Sequence, residues 1–153
     1  MGRCEMRARV LISIVGLCVG LLVLSVLSGC NTSAPNPDDV IDVRKTLSKR
    51  SQAIKDKDIE AYRSVFIPDY FDGKYRLDDL VSEMEAMFAK HESIEFTAQK
   101  APVETKMNSA RVVQRIIYEA TGMEKPLHGR EILQLRRIEG KWLISGGVYT
   151  GLE

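Results

Sequence analysis

Residues 10–27 carry no charge and are apolar or small throughout, and Arg3, Arg7 and Arg9 precede them with Glu5 as the only acid. A basic start, an apolar stretch and then small residues is the layout of an export signal. This segment constrains the fold most, because it must be set aside before any core is sought. Removing the first 29 of 153 residues leaves 124, enough for one domain with its own hydrophobic core. Taking three Arg and one Glu from 22 basic and 21 acidic residues leaves 19 and 20. A near-neutral domain gives no reason to expect nucleic acid as a partner. Two of the three cysteines, Cys4 and Cys18, lie in the signal, so the mature domain has only Cys30 and no internal disulfide.

The signal ends in Leu27-Ser28-Gly29-Cys30. This resembles the lipobox of bacterial lipoproteins, in which a branched apolar residue and two small residues precede the cysteine. A thiolate is the natural nucleophile for a diacylglycerol group. The resemblance implies cleavage before Cys30 and acylation there, palmitate included, with several chains making a stable anchor. A membrane-spanning helix is the competing reading, since 18 apolar residues reach the lower edge of spanning length. An ordinary cleaved signal is the other. Asn31 in place of the aspartate that retains enterobacterial lipoproteins in the inner membrane leans towards the periplasmic face of the outer membrane. The expected organisation is a signal over 1–29, a lipidated tether over 30–37 with Pro35 and Pro37, and a domain over 38–153.

Beyond the tether, Val40, Val43, Leu47 and Ile54 recur at helical spacing and predict a helix over about 39–55, capped by Asp38 or Asp39. Asp58 is positioned to cap a shorter helix carrying Ile59, Tyr62, Val65 and Phe66, ended by Pro68. Leu77, Leu80, Val81, Met84, Met87 and Phe88 mark one face of a third helix over about 77–91. After His91 the period changes from 3.6 to 2. Strands are expected over 94–98, possible continuation over 103–106, then 110–121, 128–138 and a last strand marked by Trp142, Ile144 and Val148, with tight turns at Asn108-Ser109 and Glu139-Gly140.

Helices followed by antiparallel strands form an α+β pattern. In this order, with the run Ala53-Ile54-Lys55-Asp56-Lys57-Asp58-Ile59-Glu60-Ala61-Tyr62 and the ending Arg136-Arg137-Ile138-Glu139-Gly140-Lys141-Trp142-Leu143-Ile144, the chain resembles the nuclear transport factor 2-like superfamily, SnoaL-like branch included. The resemblance covers residues 38–153. It implies three helices packed on a curved antiparallel sheet of four to six strands, a cone-shaped, cystatin-like roll whose open end is often a pocket. Its members include isomerases, dehydratases, cyclases, ligand binders and interaction domains, so the fold alone does not assign a function.

Enzymes of that superfamily use an Asp or His base with a Tyr donor in the pocket. The candidates here are His128 and Asp72, with Asp69 beside it in a polar loop whose aspartates also suit turn chemistry. His91 reads as a solvated residue at a helix end. Tyr62, Tyr118, Gln114 and Gln134 are the candidate pocket lining, although tyrosines at such spacings also build cores. Tyr70 and Tyr149 are further aromatics of this kind. Two distant histidines make no metal set, and no phosphate loop or nucleophile motif is present, so no cofactor or metal is expected. The reading is therefore a lipid-anchored domain of the bacterial cell envelope, held on the membrane through Cys30. It is non-catalytic and binds a small apolar ligand or an envelope protein. A small isomerase or dehydratase using His128 or Asp72 is the alternative, and a homodimer formed through the open sheet face is a third possibility. A desolvated His128 or Asp beside a tyrosine would favour the enzyme. A pocket of aliphatics and Gln would favour binding.

Overall fold

Asn36 caps the first helix: its side chain accepts from the Asp38 N–H at 3.1 Å while Pro37 supplies a helix-ready φ. In the computed structural model, which describes residues 36–148, helix α1 therefore runs Pro37–Asp56, two residues earlier than expected. Asn36 takes the capping role assigned to Asp38 or Asp39. The helix stops at Lys57, whose left-handed backbone (φ 57°) turns its N–H back to the carbonyls of Ala53 and Ile54.

Asp58 caps α2 (Ile59–Arg63) through a 2.9 Å bond from the Ala61 N–H. The helix has only five residues. Val65 and Phe66, expected within it, leave the helix and run parallel to the last strand instead. Ile144 donates to the Val65 carbonyl at 2.8 Å and Ile67 donates to the Ile144 carbonyl at 3.0 Å. Backbone pairing at an open sheet edge competes successfully with one more helical turn, because it also buries Val65, Phe66 and Ile67. Helix α3 (Leu77–Lys90) opens with Asp79 accepting from the Arg76 N–H at 2.8 Å and buries the expected stripe of Leu77, Leu80, Val81, Met84 and Phe88.

Five antiparallel strands follow: β1 (Ile94–Ala98), β2 (Val103–Lys106), β3 (Ser109–Ala120), β4 (Leu127–Ile138) and β5 (Lys141–Gly146). β1 and β2 pair with the two halves of β3, so they form one edge strand interrupted over residues 99–102. β4 pairs with all of β3 except its end, and β5 pairs with β4 across a bulge at Gln134/Leu135. The β4–β5 turn, Glu139-Gly140, has positive φ at both residues, the geometry of the tightest hairpins. The β2–β3 turn centres on Met107, one residue earlier than the sequence suggested.

Strand parity decides what faces the helices. Even-numbered residues of β3 are buried and odd-numbered ones are not. The register then places odd-numbered residues of β4 on the same inner face: Ala110 faces Leu135, Val112 faces Leu133, Gln114 faces Glu131 and Tyr118 faces Leu127. Arg111, Arg115, Arg130 and Arg136 stud the outer face around half-buried Val113, Ile117 and Ile132, so it is not a bare apolar surface. Among the described residues no helix is long and apolar enough to cross a membrane.

Candidate functional site

The inner face is not wholly apolar. Arg50 from α1 and Glu131 from β4 are 3% and 2% exposed, and they meet in a two-pronged ion pair with N···O distances of 3.0 and 2.7 Å. Gln114 of β3, buried beside them, donates its amide to the same carboxylate at 3.0 Å. Arg50 lies 5.2 Å from the centre of the Phe96 ring of β1. The Tyr62 hydroxyl lies beside the guanidinium. Burial pushes its phenol up, and the Arg50 charge opposes that only in part.

This cluster is reached by the same periodicities that build the core. Arg50 falls on the stripe of Val43 and Ile54, seven residues after one and four before the other. Glu131 has the inward parity of Leu133 and Leu135. Two charges removed from water lose several kcal/mol of hydration each, so the pair is tolerable only with two-pronged geometry and the added Gln114 bond. Arg50 and Gln114 together give the Glu131 carboxylate three hydrogen bonds.

Beside the cluster, a cleft of about 470 Å³ opens between α1 and the break separating β1 from β2. Leu47, Phe96, Ala98, Val103 and Val112 make its apolar wall, and Gln114 is at its polar end. Gln114, whose amide nitrogen is directed at Glu131, thus joins the cluster to the cleft. Arg44, Lys55 and Lys100 stand around it with Ser48, Ser51 and Gln52, and among the described residues no acid lines it. Lys55 pairs with Glu95 at 2.8 Å, and Arg44 donates to the Ala101 carbonyl at 3.4 Å across the break.

The residues singled out in the sequence separate into three places. Gln114 and Tyr118 are buried on the inner face of the sheet, and Tyr62 is buried in α2. Gln134 and His128 have the opposite parity. Both are exposed on the outer face. Asp72 organises its own loop: its Oδ1 accepts from Lys74 and Tyr75 N–H at 3.0 and 2.8 Å and its Oδ2 from the Tyr70 hydroxyl at 3.0 Å. Partial burial would raise its carboxyl, but these donors outweigh that and hold it below its usual value. Asp69 is exposed and pairs with Arg136. His91, expected in solvent, is 7% exposed and its Nδ1 lies 2.8 Å from the Thr121 carbonyl, tying the end of α3 to the end of β3. Cys30 and Tyr149 lie outside the described residues. Among those residues no group of His, Cys, Asp and Glu is arranged to hold a metal.

Tyr118 is a separate case. It is 6% exposed and its hydroxyl has no hydrogen-bond partner among the described residues. Burial alone raises its phenol. Tyr118→Phe is therefore expected to be neutral or to stabilise by up to about 1 kcal/mol, since it removes an unsatisfied polar group. A phenol kept neutral in the folded state binds its proton above the pH, near 10, at which the unfolded chain releases it. Stability then falls as pH rises past about 10, and Tyr118→Phe lessens the fall while Tyr62 and Tyr70 maintain part of it. Urea midpoints at neutral and strongly alkaline pH test both signs.

No family model matches the sequence, and no curated protein matches it. Solved structures do. A candidate aromatic ring hydroxylase from Novosphingobium aromaticivorans superimposes with a TM-score of 0.67 at 15% identity, over 78% of this chain and 95% of that one. A cystatin-like protein of unknown function from Nostoc punctiforme gives 0.62 at 15%, over 73% and 90%. A candidate dehydratase of the NTF2-like family from Streptomyces avermitilis gives 0.62 at 16%, over 73% and 95%. At such identities the likeness establishes architecture and nothing further: the helices and curled antiparallel sheet are a nuclear transport factor 2-like, cystatin-like fold.

Proposed function

We propose that this chain is a lipid-anchored extracytoplasmic binding domain, non-catalytic, that takes a small amphipathic anion into the cleft beside the Arg50–Glu131–Gln114 cluster. The observation that carries the reading is the composition of the cleft: Arg44 and Lys100, with Lys55 paired to Glu95, stand around an apolar wall, and no acid is among its described lining residues. Its volume falls within the roughly 300–1,000 Å³ usual for small-molecule sites. The buried acid nearest to it, Glu131, is already held by Arg50 and Gln114. The anchor part of the reading comes from the sequence around Cys30, and the enzyme alternative has neither His128 nor Asp72 near the cleft.

Titration with 8-anilinonaphthalene-1-sulfonate, an apolar aromatic anion, tests the site. Saturable one-to-one binding is expected. Ala101→Trp, which fills the cleft from its rim, and Lys100→Glu, which reverses a rim charge, are each expected to weaken it by about tenfold or more, roughly 1.4 kcal/mol. Binding that both variants leave unchanged would remove the cleft as the site.

A further inference from the structure

Arg137 gathers one end of the domain. Its backbone N–H donates to the Asn108 carbonyl at 2.9 Å, its guanidinium pairs with buried Asp39 in the first turn of α1, and it stacks 4.9 Å from the centre of the Trp142 ring. The β2–β3 hairpin tip, the β4–β5 hairpin tip and the start of α1 are thereby held together. Three large apolar side chains stand exposed at this end: Met107 at 82%, Ile41 at 50% and Ile138 at 37%. Met107 has φ 50°, a turn conformation that Gly or Asn would adopt more readily, so turn chemistry does not account for a methionine there. Exposed Lys106 and Lys141 flank Met107 and Ile138, with Glu139 at the neighbouring tip. Phe71, exposed elsewhere, differs in lying under the Arg76 guanidinium.

We infer that this end of the domain docks on the bilayer that holds the acylated Cys30. Met107, Ile138 and Ile41 enter the headgroup–acyl boundary, and Lys106 and Lys141 meet lipid phosphates. The inference rests on the lipid-anchor reading above. Chain length selects the occupant. Residues 31–36 alone separate Cys30 from Pro37, and fully extended they span at most roughly 25 Å. The start of α1 lies at the Arg137 end, so an anchor at Cys30 keeps this patch within reach of lipid. The β3–β4 hairpin is at the far end of two 12-residue strands, roughly 35–40 Å away.

The test uses mature protein purified from bacterial membranes and reconstituted into phosphatidylethanolamine/phosphatidylglycerol vesicles. Met107→Cys, Ile138→Cys and, at the far hairpin, Glu124→Cys each carry an environment-sensitive fluorophore, and nitroxide-labelled lipids act as quencher. Blue-shifted emission and several-fold stronger quenching at positions 107 and 138 than at 124 is the expected result. Equal quenching at all three positions, in protein that bears acyl mass and sediments with vesicles, overturns the docking and leaves the anchor intact. A full-length, unacylated mass overturns the anchor and the docking with it. A concentration-dependent shift at 107 and 138 without lipid would assign the patch to a second copy of the chain and overturn the inference.

Discussion

Glu131→Ala is expected to destabilise the domain by about 3–5 kcal/mol, because it takes from the Arg50 guanidinium, 3% exposed, the carboxylate that holds it in two-pronged geometry. Arg50→Ala should cost a similar amount by leaving the buried carboxylate without its counter-charge, with only the Gln114 amide on it. Replacing both, as in Arg50→Met with Glu131→Leu, is expected to be far milder, neutral or stabilising by up to about 4 kcal/mol, since apolar side chains in a dry interior carry no hydration to lose. Urea denaturation of the two singles and the double separates the cases. If the double costs as much as the sum of the singles, the two side chains do not act as a pair. The double also bears on function: it removes the carboxylate that orients Gln114, so weakened anion binding in a well-folded double variant would connect the cluster to the cleft.

Gly147→Ala is expected to be the most damaging single methyl group in the described chain, at or above about 4 kcal/mol. Gly147 has φ +86°, and a Cβ there would overlap the Ile132 carbonyl of β4. The obstacle is backbone within a paired strand, which cannot rotate aside as a side chain can. Gly122→Ala is the control. Its φ is +84°, but a Cβ would meet nothing within 4 Å, so only the roughly 1–2 kcal/mol of a left-handed L-residue is expected. A thermal or urea comparison that finds the two equal would show that the close approach of residue 147 to β4 does not hold in solution.

These variants mark where sequence periodicity was informative and where it was not. The stripe of Leu77, Leu80, Val81, Met84 and Phe88 identified α3, because a helix face repeats locally and each member reports on the others. The change to period 2 after His91 located the sheet for the same reason. Arg50 occupies a core position of α1, yet an arginine between Lys49 and Ser51 reads as solvent-facing until its partner is known. Extending the parity of Leu133 and Leu135 by one step would have placed Glu131 inside. His128 and Gln134 face outward because one residue of strand register exchanges the two faces.

By itself the sequence determined the helical and strand segments, the α+β class and most of the core. These are properties of neighbouring residues, and local spacing encodes them. Only the tertiary structure decided that Arg50, Gln114 and Glu131 converge, that His128 and Gln134 face outward, that residues 65–67 join the sheet edge, and that a break between β1 and β2 opens a cationic cleft. Each depends on residues between 17 and 81 positions apart or on the register of strand pairs. Such pairings are set by the total free energy of the packed molecule, to which no single window of sequence has access.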